Sequence, residues 1–279
     1  PIYPLFLSLI MKSKNQAIGI FDSGIGGLTV ANAIAKELPN EDFIYFGDTA
    51  HLPYGDKSPD TIRYYSIRIA KFLLDQDCKM VVVACNSAST AANKVLLEFF
   101  QDRTHVINVV DPLVDACVKL KFSKVGIIAT KATIRSGVYQ KQLKEKQEDL
   151  EVHAQATPLF VPMIEEGFVH NNISQSIIKN YLSDAGFKDM NALLLACTHY
   201  PLIQNSIREY LGPDIQILES SELAAKAVRE TLEAHDLLNP KKQKGDHKFF
   251  VSDLTESFAQ TAQHFYGADI DLTHLPLWD

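Results

Sequence analysis

Basic charge, cysteine and long apolar runs are all scarce in this 279-residue sequence. With 27 Lys and Arg against 34 Asp and Glu, the formal net charge is -7 and the isoelectric point lies near 5.7. The chain therefore lacks the positive field with which nucleic-acid binders displace counterions, and no nucleic-acid partner is expected. The four cysteines, Cys78, Cys85, Cys117 and Cys197, have no short-range framework spacing. They read as reduced thiols of a cytoplasmic protein, available for chemistry. The apolar opening stretch, residues 1–10, is far shorter than the ~20 residues of a spanning helix and follows no basic segment, so no membrane partner is expected. Met11 with Lys12, Ser13 and Lys14 behind it resembles a natural start. Residues 1–10 are accordingly expected to be a non-native extension outside the fold.

What is present is ordinary globular composition, 46% hydrophobic and 22% charged, in a chain long enough for two domains. From residue 17 onward, short β-rich runs alternate with segments of helical period, the pattern of βαβ units around parallel sheets. Strands are expected at 17–21, 43–46, 80–84, 105–110, 124–129, 151–156 and 192–196. Helices are expected where Leu28, Ala31, Ile34, Ala35 and Leu38 recur before Pro39, after the Ser58 N-cap and Pro59, and near 112–120, 132–147, 172–185 and 220–235. Residues 239–248 (NPKKQKGDHK) read as a solvated, turn-rich connector.

One internal echo bears on function. Val81–Asn86 (VVVACN) and Leu193–Thr198 (LLLACT) are both apolar runs ending in Ala-Cys-polar, too far apart for a solenoid repeat but suited to two similar α/β domains. Gly19–Gly24 and Gly126–Thr130 echo one another more weakly. In open α/β sheets, ligands sit beyond the carboxyl ends of the strands, where helix N-termini offer free N–H groups. Cys85 and Cys197 fall at such ends, where a helix dipole is expected to lower a thiol from ~8.5 toward neutrality. Asp22-Ser23, Asp48 and Cys85-Asn86-Ser87 end successive strands. Thr198-His199 follows the second thiol, and Glu165-Glu166 are expected in a loop after Pro162. Gly24–Gly27 with Asp48 also invites a dinucleotide or anion-binding reading, but the sixth position of that fingerprint is Thr29, and no P-loop lysine is present. Cys197-x-His199 lacks a second close Cys/His pair, so no metal is expected.

Five phrases, in order, carry a resemblance: GIFDSGIGGLTV (19–30), YFGDTAHLPYGDKS (45–58), VVACNSAST (82–90), PLFVPMIEEG (158–167) and LLLACTHYPLI (193–203). Across residues 15 to 275 the chain resembles the glutamate racemases of the aspartate/glutamate racemase superfamily. The resemblance implies two similar doubly wound parallel-sheet domains facing each other across a central cleft. Residues 12–111, completed by 218–279, would form the first and 112–217 the second. It also implies cofactor-independent interconversion of L- and D-glutamate, supplying D-glutamate for peptidoglycan in a bacterial cytoplasm, with aspartate-specific relatives as the alternative. Carried over by motif, Cys85 and Cys197 are the catalytic thiols, Cys197 the base toward L-glutamate and Cys85 toward D-glutamate. Asp22, Glu165 and His199 assist them, and Glu165 is preferred to Glu166. Asp22, Ser23, Tyr54, Gly55, Asn86, Ser87, Thr198 and His199 contact substrate. Ser87 stands where the family usually has Thr, and the hydroxyl survives. Two acid/bases on opposite faces of one carbon suit inversion of a stereocentre better than one. The net-negative charge neither demands nor forbids a homodimer.

Overall fold

The computed structural model describes residues 12–278; the expectation for residues 1–10 lies outside them. Two parallel sheets organise the chain. The first is entered through β1 (Ile18–Asp22), α1 (Leu28–Glu37), β2 (Phe43–Gly47), α2 (Pro59–Asp75), β3 (Met80–Val83), α3 (Asn86–Phe100) and β4 (His105–Asn108). After α4 (Val110–Lys119), the second is built by β5 (Lys124–Ala129), α5 (Lys131–Ser136), α6 (Val138–Lys146), β6 (Glu151–Ala156), α7 (Phe160–Glu165), α8 (Asn172–Leu182), β7 (Ala192–Ala196), α9 (Gln204–Leu211) and β8 (Gln216–Glu219). The chain then crosses back through α10 (Ser220–Ala234) and completes the first sheet with β9 (His247–Val251), α11 (Glu256–Tyr266) and β10 (Leu272–His274).

Strand order is β10-β9-β2-β1-β3-β4 in the first sheet and β6-β5-β7-β8 in the second. The central strands β1, β2, β3 and β7 are buried along their whole length, as parallel strands covered by helices on both faces must be. In each sheet one strand, β1 or β5, pairs with its successor on one side and with the next strand on the other. That reversal opens a crevice at the carboxyl end of the sheet. Cys85 follows β3 and Cys197 follows β7, the equivalent strands beside the two crevices.

Local chemistry explains most element ends. Ser58 accepts from the Thr61 N–H at the start of α2, with Pro59 at its first position. Gly137, at φ +67, splits the expected helix over 132–147 into α5 and α6. Glu165 lies on the short helix α7 rather than in a loop, because Pro162 sits in the first turn, where no intrahelical N–H is needed. The connector expected over 239–248 ends early, since His247 and Lys248 pair with Phe43 and Ile44. Similarly, the return to the first sheet follows β8, which stays paired with β7 through Glu219, so residue 218 lies inside the second sheet. No helix among the described residues is long and apolar enough to cross a membrane.

A buried ion pair fastens the returning segment. Lys79 Nζ donates to Glu41 Oε2 at 2.6 Å and to the carbonyls of Lys14 and Leu237, while Glu41 Oε1 accepts from the Asn239 N–H at 2.7 Å. Both side chains are almost wholly excluded from solvent, and burial pushes the Lys79 ammonium below its usual range. Removing one partner strands the other charge in the interior. Lys79→Ala should therefore lower unfolding stability by about 3–5 kcal/mol in urea titration; a loss under about 1 kcal/mol would show that the pair is dispensable.

Candidate active site

The first half brings its residues to the site through the turn after β1 and the start of α3. Asp22 ends β1 fully buried, and one carboxylate oxygen accepts from the N–H groups of Gly24 (3.1 Å) and Gly27 (3.0 Å). Burial raises its carboxyl, against the lowering effect of the Gly27 amide, the charge of His199 and the Gly24 amide. Cys85 is the N-cap of α3: its sulfur accepts from the Ala88 N–H at 3.4 Å and its thiol reaches Ser23 Oγ at 3.6 Å. The expected lowering of this thiol by the helix start does not occur. Burial, followed by the charge of Asp22, pushes it up to about 12, and the Ala88 and Ser23 hydrogen bonds only partly offset them. These surroundings favour the thiol form of Cys85. Tyr139 of the second half donates to Asn86 Oδ1 at 2.6 Å, which fixes the amide and leaves its buried Nδ2 without a protein acceptor.

The second half contributes the turn after β7. Cys197 caps no α-helix, contrary to expectation: Thr198 and His199 follow it, then a tight 3-10 turn over Tyr200–Ile203, before α9 begins. The helix-dipole argument therefore does not apply at Cys197. Its polar neighbour is instead a histidine. His199 Nδ1 lies 3.9 Å from Cys197 Sγ, and Nε2 lies 2.8 Å from Glu165 Oε1. Burial works against an imidazolium here, but hydrogen bonding and negative charge at Cys197 and Glu165 outweigh it, raising His199 to about 10. Glu166 is exposed at the end of α7 and makes no such contact.

Cys85 and Cys197, both nearly buried, line one cavity. Its wall also includes Ser23, Tyr54, Gly55, Asn86 and Ser87 from the first half, and Glu165, Thr198 and His199 from the second. Asp22 is fully buried beside this wall, bonded to the Gly24–Gly27 turn and charge-coupled to Cys85. The cavity is tight, about 30 Å³, and shares Leu52, Pro53, Gly55, Thr130, Val161 and Glu165 with an adjoining chamber of about 340 Å³. Thr130 was not expected at the site. It caps α5 and lies 2.9 Å, oxygen to oxygen, from Ser87; its position just past the end of β5, level with Cys197 as Ser23 is with Cys85, was the available signal.

Two other expectations are corrected. Asp48 is a structural anchor: it accepts from Tyr54 (2.6 Å), Ser252 (2.8 Å) and Trp278 (2.8 Å) and contacts His51, tying the 49–56 segment to the C-terminal return. The glycines of 24–27, read above as a weak anion-binding signal, instead permit close packing. A Cβ on Gly26 would lie 2.4 Å from His199 and 2.5 Å from Thr198, so the space is filled by the opposing half.

Residues 24–228 match the Asp/Glu/hydantoin racemase family. The glutamate racemase of Geobacter metallireducens is 43% identical over 91% of this chain and 94% of its own length. The structure of glutamate racemase from Francisella tularensis in complex with D-glutamate superposes with a TM-score of 0.90 at 40% identity, covering 95% of this chain and 99% of that one. That of glutamate racemase from Thermus thermophilus in complex with β-chloro-D-alanine gives 0.86 at 41% identity, over 95% and 98%.

The electrostatics around Cys85 can be tested by alkylation. Asp22→Asn removes negative charge beside the sulfur, which favours the thiolate and should speed iodoacetamide modification of Cys85 at pH 8, followed by mass spectrometry of the peptide. An unchanged rate would mean that burial alone holds the proton.

Proposed function

This chain belongs to the Asp/Glu/hydantoin racemase family, and from that premise we propose that it interconverts L- and D-glutamate by proton transfer between two thiols. The observation that carries the reading is the shared cavity: two sulfurs, delivered by equivalent strands of two facing sheets, with opposite electrostatic surroundings. A substrate carbon between them meets a base on one face and an acid on the other.

Cys197, paired with the His199 imidazolium, acts as thiolate and removes the Cα proton of L-glutamate. Cys85, held as thiol, delivers a proton to the opposite face and becomes the thiolate, yielding D-glutamate. The reverse direction exchanges the roles. Glu165 steadies His199, and Asp22 sets the charge at Cys85 from behind. Deprotonation places negative charge on the substrate carboxylate, which neutral donors in a water-poor cavity stabilise well. Asn86 Nδ2, with no protein acceptor, is a ready donor. The first-turn amides of α3, where Asn86 and Ser87 lie, are a second source, and Ser23, Ser87 and Thr198 supply hydroxyls. Tyr54 and Gly55 complete the contact set from the 49–56 segment. The chemistry uses these groups and no cofactor. The tight cavity implies that the halves part to admit glutamate, with the adjoining chamber as the approach. The product would supply D-glutamate for peptidoglycan in the cytoplasm of a bacterium.

Incubation of L-glutamate with the pure protein in deuterated water should give D-glutamate carrying one deuterium at Cα, read by mass spectrometry and chiral chromatography. Absence of incorporation by folded protein would end this reading. Cys85→Ala and Cys197→Ala should each lower turnover by at least ~10²-fold, the usual scale for a positioned acid or base, while thermal unfolding stays near that of the parent; full activity in either excludes the two-base scheme. Aspartate turned over faster than glutamate would move the assignment to the aspartate-specific branch.

A further inference from the structure

We infer that Phe265, on the C-terminal helix α11, is a positioning residue for proton transfer at Cys197, holding the His199 ring in the orientation that joins Cys197 to Glu165. The inference rests on the two-thiol reading above and deepens it. His199 uses both ring nitrogens, Nε2 toward Glu165 at 2.8 Å and Nδ1 toward Cys197 at 3.9 Å. Its χ2 torsion is intrinsically soft, and the Nδ1 contact to sulfur is long at 3.9 Å, so packing on the ring has to supplement the polar contacts in setting its orientation. That packing comes from the other half of the molecule. The Phe265 and His199 rings meet edge to face, with centroids 4.9 Å apart and planes at 77°. Phe265 is itself buried, and α11 rests on α1, the helix that follows the glycine turn. Gly26 in that turn makes the complementary contact, since any Cβ there would meet His199 Nδ1 and Cε1 at 2.4 Å.

The division of labour is informative. The groups that exchange protons or charge with His199, namely Cys197 and Glu165, lie on the second half, while the groups that shape its pocket, Gly26 and Phe265, lie on the first. A ring freed from Phe265 can turn about χ2 and leave Cys197 without its cationic partner, although the fold is unchanged. Cys85 makes no contact with Phe265 or His199 in the described hydrogen-bond or ring-contact network. The consequence should therefore fall on one of the two proton transfers.

Phe265→Leu keeps apolar bulk and removes the ring; Phe265→Tyr keeps the ring. Turnover of Phe265→Leu should fall about tenfold, less than the ~10²-fold that gross misplacement of a reacting group can cost. The Cα-deuterium isotope effect should rise with deuterated L-glutamate, which gives its proton to Cys197, and fall with deuterated D-glutamate, which gives its proton to Cys85. Phe265→Tyr should recover most of the turnover. A Phe265→Leu enzyme of parental turnover, isotope effects that change equally for both enantiomers, or a Phe265→Tyr enzyme as impaired as Phe265→Leu would each overturn the inference. Should Phe265→Leu not fold, Gly26→Ala, which crowds the same ring from the opposite contact, is judged by the same isotope criterion. The parent enzyme is assayed in parallel, so failure to racemise glutamate at all identifies an error in the activity itself rather than in the role of Phe265.

Discussion

Two strand ends meeting with almost no space between them set the terms for the rest of this molecule. The turn after β1 approaches the turn after β7 so closely that Gly26 must lack a side chain, and the 49–56 segment closes on Thr130 across Gly55, where a Cβ would lie 2.9 Å away. Asp22, Cys85, Cys197 and His199 are thereby buried at the carboxyl edges of the two sheets. In such a space each ionisable group titrates according to its immediate neighbours, because solvent no longer screens them.

The two halves supply equivalent scaffolds and different electrostatics. β3 and β7 occupy matching places in their sheets, and each is followed by a cysteine. Beside Cys85 lies a buried carboxyl, which with desolvation holds the thiol in its protonated form. Beside Cys197 lies an imidazole whose proton is stabilised by the sulfur and by Glu165. A pseudo-symmetric fold thus places its two sulfurs in different electrostatic surroundings.

Much of the frame is legible from residue patterns. β5, β6 and β7 coincide with the strands expected at 124–129, 151–156 and 192–196, and the Ser58-Pro59 start of α2 follows from capping chemistry alone. The C-terminal return is less visible, because β9 and β10 are short, sit toward the edge and carry mixed polarity. At the site, strand-end position was enough to single out both cysteines. It misled at Asp48, whose carboxylate is consumed by partners from residues 51, 54, 252 and 278 that no local pattern connects to it. It also misled on the electrostatics of Cys85, since a helix start was weighed without the burial that outweighs it.

Strand and helix periods, caps, and the recurrence of Ala-Cys after an apolar run are properties of neighbouring residues, and the sequence determined them by itself. Tertiary structure decided which carboxylate of the Glu165-Glu166 pair meets His199, that Asp22 is buried against the Gly24–Gly27 turn, that Thr130 and Tyr139 join the site, and that a phenylalanine near the C-terminus packs on a histidine of the opposite half. The reason is physical. Local structure follows from steric and hydrogen-bonding preferences over a few residues, whereas desolvation and charge coupling depend on distances through space, which exist only once the two sheets have closed on each other.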